Sequence, residues 1–166
     1  METAQELFEH ELKSMYDGVK RLERGLAQMS KAASHPELTA KVRDLHTAVK
    51  EQVRRVEEIF ELLDKKPEKQ ESKAIKGLFE EYRSFVRDQK PEKEVLDTFL
   101  AGSAADIAQY AMEEFQSMLQ VAEQSGATNT SPKIADNLHV SMKEHKKIHK
   151  DIQKLTDQLI QQLRPA

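Results

Sequence analysis

The sequence predicts an all-α protein. Four long amphipathic helices close on one another as a bundle, with a shorter helix inside a long crossover between the second and third. Three observations carry this prediction. Apolar residues recur at helical spacing over many turns, most plainly as Leu38, Val42, Leu45, Val49, Val53, Val56, Ile59 with Phe60, and Leu63. Gly and Pro are scarce, five of each in 166 residues, so little interrupts such runs. The β-branched and aromatic runs expected of strands do not occur. This length suits a single domain, 1–166, with a substantial buried core.

The first helix is predicted over about 3–33. Thr3 followed by Glu6 forms a plausible capping box, and the stripe is Phe8, Leu12, Met15, Val19, Leu22, Leu26 and Met29. Gly18 and Gly25 lie inside it at a cost of roughly 1 kcal/mol each against Ala, and read as points of close packing. Ser34-His35-Pro36-Glu37 breaks the chain. Ser34 is the expected cap of a second helix over about 36–64, with Pro36 in its first turn and Glu37 completing an S-x-x-E pattern. So short a turn makes the first two helices antiparallel neighbours.

A polar loop, Lys65 to Gln70, leads to a short amphipathic helix over about 73–89. Its face carries Ile75, Leu78, Phe79, Tyr82, Phe85 and Val86, and Lys90-Pro91 ends it. A connector this long can carry the chain from one end of the bundle to the other, which is the crossover of a ferritin-like topology. Its aromatic face is expected to flank or cap the bundle. The next long helix covers about 91–124, with a stripe of Leu96, Phe99, Leu100, Ser103, Ile107, Tyr110, Ala111, Glu114, Phe115, Met118 and Val121. Gly126 is the expected left-handed stop. Ala127 to Thr130 reads as loop, and Ser131-Pro132 opens the last helix, about 132–163, in the N-cap/N1 pattern. Its stripe holds Ile134, Leu138, Ser141, Met142, His145, Ile148, His149, Ile152, Leu155 and Leu159, and Arg164-Pro165-Ala166 is a frayed tail.

Composition limits the function classes. A net charge of −3 gives no overall drive toward nucleic acid or anionic membrane. Without cysteine there is no thiolate chemistry, so any metal would need carboxylate and imidazole ligands. No apolar run reaches the roughly 18 residues of a membrane span. Residues 1–6 lack the basic-then-apolar pattern of a signal peptide, so a cytoplasmic location is expected. There is no Gly-rich phosphate loop and no G-x-S-x-G, and no catalytic residue is assigned.

Several stretches resemble the YciE/YciF-like bacterial stress proteins, a branch of the ferritin-like superfamily. Leu7-Phe8-x-x-Glu11-Leu12-x-x-Met15-Tyr16-Asp17 followed by Leu22 is similar to the family's opening helix. Lys31-Ala32-Ala33-Ser34-x-Pro36-Glu37-Leu38 resembles its first turn, Gln52 to Phe60 its second helix, and Gly77-Leu78 its short connecting helix. The likeness runs nearly the whole chain, most strongly through Leu63. It implies a ferritin-like four-helix bundle with the extra short helix, dimeric as a rule. In many relatives inward carboxylates could hold two metals.

The chain departs from that pattern where it matters. The positions of the family's inward acids fall on Val19, around Thr47-Ala48-Val49, on Ala108 and Ala111, and on the turn Lys143 to Lys146, which keeps one acid. What the resemblance implies is therefore a bundle whose di-metal site is lost. The expectation is a non-enzymatic homodimer with a structural or interaction role and no cofactor.

Candidate residues for the contrary reading exist. His145 and His149 stand at i, i+4 on one side of a helix, a competent metal spacing, but Lys146 and Lys147 replace the Glu of an H-E-x-x-H motif. The competing reading packs His145 at a seam and leaves His149 at the solvent margin. Glu114 falls on an apolar stripe, where it needs a partner such as His145 or must lift its head to water beside Glu113. A metal-binding alternative, with iron or manganese, would draw on Glu114, Glu144, His145 and His149, together with Glu11, Glu23 and Glu113. Lys143, Lys146, Lys147, Lys150 and Lys154 make the last helix locally basic. A solvated face accounts for them, and nucleic-acid association is the second alternative, with no aromatic platform to support it.

Overall fold

A computed structural model describes residues 1–165; Ala166, the last residue of the predicted tail, lies outside the described residues. The elements are α1 (Ala4–Ala32), α2 (Pro36–Leu62), α3 (Lys73–Gln89), α4 (Lys93–Ser125), the one-turn α5 (Ala127–Thr130) and α6 (Pro132–Gln162). Among the described residues there is no strand.

The four long helices form a closed ring, α1–α2–α6–α4, in which every neighbouring pair is antiparallel. Asp97 at the start of α4 accepts hydrogen bonds from Ser34 N–H (2.8 Å) and His35 N–H (3.0 Å) at the end of α1. Across the α2–α6 seam Gln52 meets His145 while Glu58 meets Asn137, so sequence numbers run in opposite directions. The chain leaves α2 at one end of the bundle, where Lys65 pairs with Glu9, and re-enters at the other through α4. This is the single long crossover of a ferritin-like bundle.

The crossover lies on α1 and α4 and runs the same way as α1. Asp17 caps its entry by accepting from Ser72 N–H at 2.9 Å. Burial works against the Asp17 carboxylate, but Arg21 and Ser72 N–H outweigh it and hold its pKa below the usual carboxylate value. Gly25 explains how close α3 comes. A Cβ there would stand 2.1 Å from the Phe79 ring, so only glycine lets Phe79 seat on α1. Farther along, Phe99 of α4 stacks between Phe85 (3.7 Å) and Tyr82 (6.3 Å).

Local signals account for the element ends. Thr3 and Glu6 form the capping box, Ser131 accepts from Lys133 N–H ahead of Pro132, and Gly126 takes the left-handed conformation, φ 78°. Ser34 departs from its expected role. His35 is the N-cap of α2, its ring nitrogen accepting from Leu38 N–H, and the Ser34 hydroxyl goes to Asp97 instead. The Asp97 carboxylate satisfies three donors at once, which a local S-x-x-E box does not. Ala127 to Thr130, expected as loop, makes one helical turn.

The buried face of α4 also differs from the expected stripe. Leu100, Ala101, Ala104, Ala105, Ile107, Ala108 and Ala111 are inside, whereas Ser103, Tyr110 and Glu114 sit at its edges. Alanine gives a weak hydropathy signal, yet its small side chain lets α6 pack closely along the whole of α4.

Candidate functional site

The core divides into two apolar clusters that meet at the bundle midpoint. One, centred on Leu26, Val42, Leu45 and Ala104, fills the end where α1 turns into α2. The other, centred on Phe8, Leu12, Phe60 and Ile134, fills the opposite end. Between them Val19, Val49, Ala108 and Ala111 are 3%, 0%, 0% and 4% exposed, so the centre is packed with hydrocarbon. The polar groups near this level lie in two seams on opposite sides.

The α2–α6 seam is a connected network. His145 is fully buried and donates from Nε2 to Gln52 Oε1 at 2.7 Å. The direction follows from Gln52, whose amide nitrogen is occupied as a donor to Glu144 Oε2 at 3.1 Å. Arg55 grips the same carboxylate with two parallel bonds of 2.7 and 2.9 Å. Its guanidinium also reaches Ser141 Oγ, which donates to Asn137 O. Asn137 extends the chain to Glu58 at 2.9 Å. Spacing explains the layout: Asn137, Ser141 and His145 recur every fourth residue and form one row on α6.

His145 carries the largest perturbation in this seam. Burial drives its pKa down to about 4, and the nearby Glu144 carboxylate only partly opposes this. The imidazole is therefore neutral at pH 7, lying against Phe115 with ring centroids 5.7 Å apart. Its Nδ1 is the one buried side-chain polar atom without a hydrogen-bond partner among the described residues.

The α1–α4 seam is different. Glu114 is half-buried, and burial, reinforced by Glu11, raises its carboxyl pKa, while Tyr110 pulls the other way. Burial also pushes the Tyr110 hydroxyl up to about 12, with Glu114 adding to the effect. No cation is paired with Glu114 among the ion pairs of the described residues. A narrow slit lined by Met15, Val19, Leu22, Ile75, Ala111 and Phe115 opens beside it.

The structure thus separates the sequence candidates. Glu144 and His145 share the α2–α6 seam, but Arg55 and Gln52 hold the Glu144 carboxylate and Gln52 holds His145 Nε2, which leaves only the buried Nδ1 without a partner. His149 turns toward α4, its Nδ1 3.0 Å from the Ala105 carbonyl, in the donor role if the proton is there. Glu114 lies across the bundle with Glu11 and Tyr110, so the pairing of Glu114 with His145 does not form. Glu113 is exposed and Glu23 lies at the surface margin. Sequence reasoning missed Gln52 and Arg55 as site residues. Gln52, buried inside the α2 stripe one place before Val53, was the available signal.

The family model described as a domain of unknown function, DUF892, matches residues 3–163. The chain belongs to this family. Protein YciF of Escherichia coli (strain K12) is 28% identical over 142 residues, which cover 83% of each chain. The crystal structure of the E. coli stress protein YciF superposes with a TM-score of 0.87 at 24% identity, covering 98% of this chain and 100% of that one. YcfI from Rhodopseudomonas palustris, provisionally described as a structural protein, gives a TM-score of 0.85 at 22% identity, over 92% and 94% of the two chains. These matches bear out the YciF-like resemblance and the helical-bundle fold.

The di-metal centre that a ferritin-like fold implies does not fit the residues of this DUF892 member. Among the described residues, no three His, Asp or Glu side chains converge in a geometry that could hold a metal ion. The Glu144 carboxylate and His145 Nε2 are held by Arg55 and Gln52, and α1, α2 and α4 contribute Val19, Val49, Ala108 and Ala111 to the central packing. Among the described residues, no helix is long and apolar enough to cross a membrane.

Proposed function

We propose that this protein is a non-enzymatic ferritin-like bundle of the stress-protein type, with its di-metal site lost and a structural or interaction role. One observation carries the reading: the bidentate hold of Arg55 on Glu144. A partly buried carboxylate is stabilised by a cation, and for Glu144 the protein supplies its own guanidinium, where a ferritin-like relative would use a metal. The hydrocarbon packing of Val19, Val49, Ala108 and Ala111 supports the same reading, since a dry centre has no clustered acids to neutralise. The protein acts in the cytoplasm, as a homodimer with no cofactor. None of Glu114, Glu144, His145 and His149 is a metal ligand in this reading.

Thermal melting tests it. A metal that binds only the native state raises the melting temperature by mass action. Melting of the untagged protein is expected to be unchanged by chelator or by added Fe²⁺ or Mn²⁺. A metal-dependent rise in the melting temperature, lost on chelation, would establish the iron- or manganese-binding alternative instead.

A further inference from the structure

We propose that the groove between α1 and α3 is a binding site for a compact phosphate-type anion: inorganic phosphate, a diphosphate or a phosphomonoester. The groove encloses about 140 Å³. Arg21, Arg24 and Gln28 line one wall from α1, and Lys76 and Arg83 the other from α3. The two rows have the same i, i+3, i+7 spacing, 21-24-28 against 76-79-83, so each presents one face over two turns. Phe79 on Gly25 forms the floor, and that glycine is what brings the two cationic rows within reach of one small ligand.

The charges in the groove are unequally engaged. Arg21 is held by Asp17 at 2.6 Å and lies 3.8 Å from Glu71, while Lys76 pairs with Glu71 at 3.1 Å. These contacts fix the two side chains on the groove wall. Arg24 and Arg83 belong to no ion pair among the described residues, and both are exposed. Two guanidinium groups outside any ion pair among the described residues, on opposite walls of one groove, with an amide at Gln28, match the several acceptor oxygens of a phosphate group. The same features disfavour an extended polyanion. Asp17 and Glu71 flank the arginines, the chain as a whole carries −3, and no exposed aromatic ring in the groove offers a base a stacking surface.

The test is calorimetric titration of the full chain, at low ionic strength, with phosphate, pyrophosphate and glycerol phosphate in turn. Saturable binding of at least one of the three at a single site per chain is expected, and their rank order distinguishes a free anion from a phosphomonoester. The double variant Arg24→Gln/Arg83→Gln should weaken binding by about tenfold or more, since each guanidinium supplies charge-assisted hydrogen bonds. Lys147→Gln/Lys150→Gln removes the same charge from the exposed face of α6 and should leave binding unchanged. Circular dichroism of both variants should match the parent, because all four side chains are exposed. The proposal is overturned if none of the three anions saturates a site, if the two double variants lose binding equally, or if a short oligonucleotide binds through Arg24 and Arg83 more tightly than pyrophosphate.

Discussion

The α2–α6 and α1–α4 seams place carboxylates at similar depth and treat them in opposite ways. On the α2–α6 side Glu144 is matched by Arg55 and bound by Gln52, which in turn fixes His145. On the α1–α4 side Glu114 faces Glu11 with no cation, and its raised pKa records the unrelieved cost. A bundle can thus hold an inward acid either by building a counter-charge into the facing helix or by leaving the acid at the solvent margin. The first arrangement rigidifies a seam, because removing one partner strands another. The second costs little to alter.

The largest effect is expected from acid. His145 has a native pKa of about 4 against an ordinary value of 6.5, so the native state favours neutral imidazole. Its contribution is complete above pH 6.5, declines as pH falls toward 4, and is flat below that. The span corresponds to a loss on the order of 3 kcal/mol. Urea unfolding at successive pH values should show this decline, and His145→Leu should flatten it. An unchanged acid limb in that variant would break the claim that the buried imidazole is the source.

Removing the counter-charge should come next. Arg55→Ala leaves Glu144 without its cation, at a cost of about 2 kcal/mol at neutral pH, reduced from the fully buried case because both side chains keep some exposure. Much of the loss should be recovered in Arg55→Ala/Glu144→Gln. A double-mutant cycle by chemical denaturation measures the coupling, and additivity would mean that the pair does not interact.

Gln52→Leu should cost about 1 to 2 kcal/mol, since it strips the His145 ring of its one hydrogen bond among the described residues and Glu144 of one of its three. Denaturant midpoints check it. The smallest effect, with the opposite sign, belongs to the other seam. Glu114 has a raised native pKa, so its favourable contribution exists below the ordinary carboxyl range and is lost as pH rises through the native value. Glu114→Gln should therefore stabilise the protein at pH 7, by about 0.5 kcal/mol after allowing for its partial exposure. A loss of stability in that variant would show that the two seams are alike.

The sequence made the helices legible because their ends carry short-range chemistry. Thr3 with Glu6, Ser131 with Pro132, and Gly126 each act within a few residues. The apolar stripes of α1 and α2 were readable for the same reason. The α4 face was not, because alanines that pack against α6 are hardly distinct in hydropathy from their neighbours. Ser34 and Asp97 are 63 residues apart, so no local pattern could announce their bond. The candidate site was legible only in outline. His145 and Glu144 could be picked out as inward groups, but their partners Gln52 and Arg55 lie about 90 residues earlier, on a helix whose other inward residues are apolar. The apolar residues Val19, Val49, Ala108 and Ala111, where the resemblance leads one to expect acids, were readable; the guanidinium of Arg55 that grips Glu144 was not.

The most direct test of that replacement is the metal content of untagged protein purified without chelator. Elemental analysis should find iron, manganese and zinc far below one ion per chain, with the same result for Gln52→Leu. About two ions per chain, the content of a ferritin-like di-metal centre, would contradict the account, because Arg55 and the hydrocarbon centre leave such ions no ligand set.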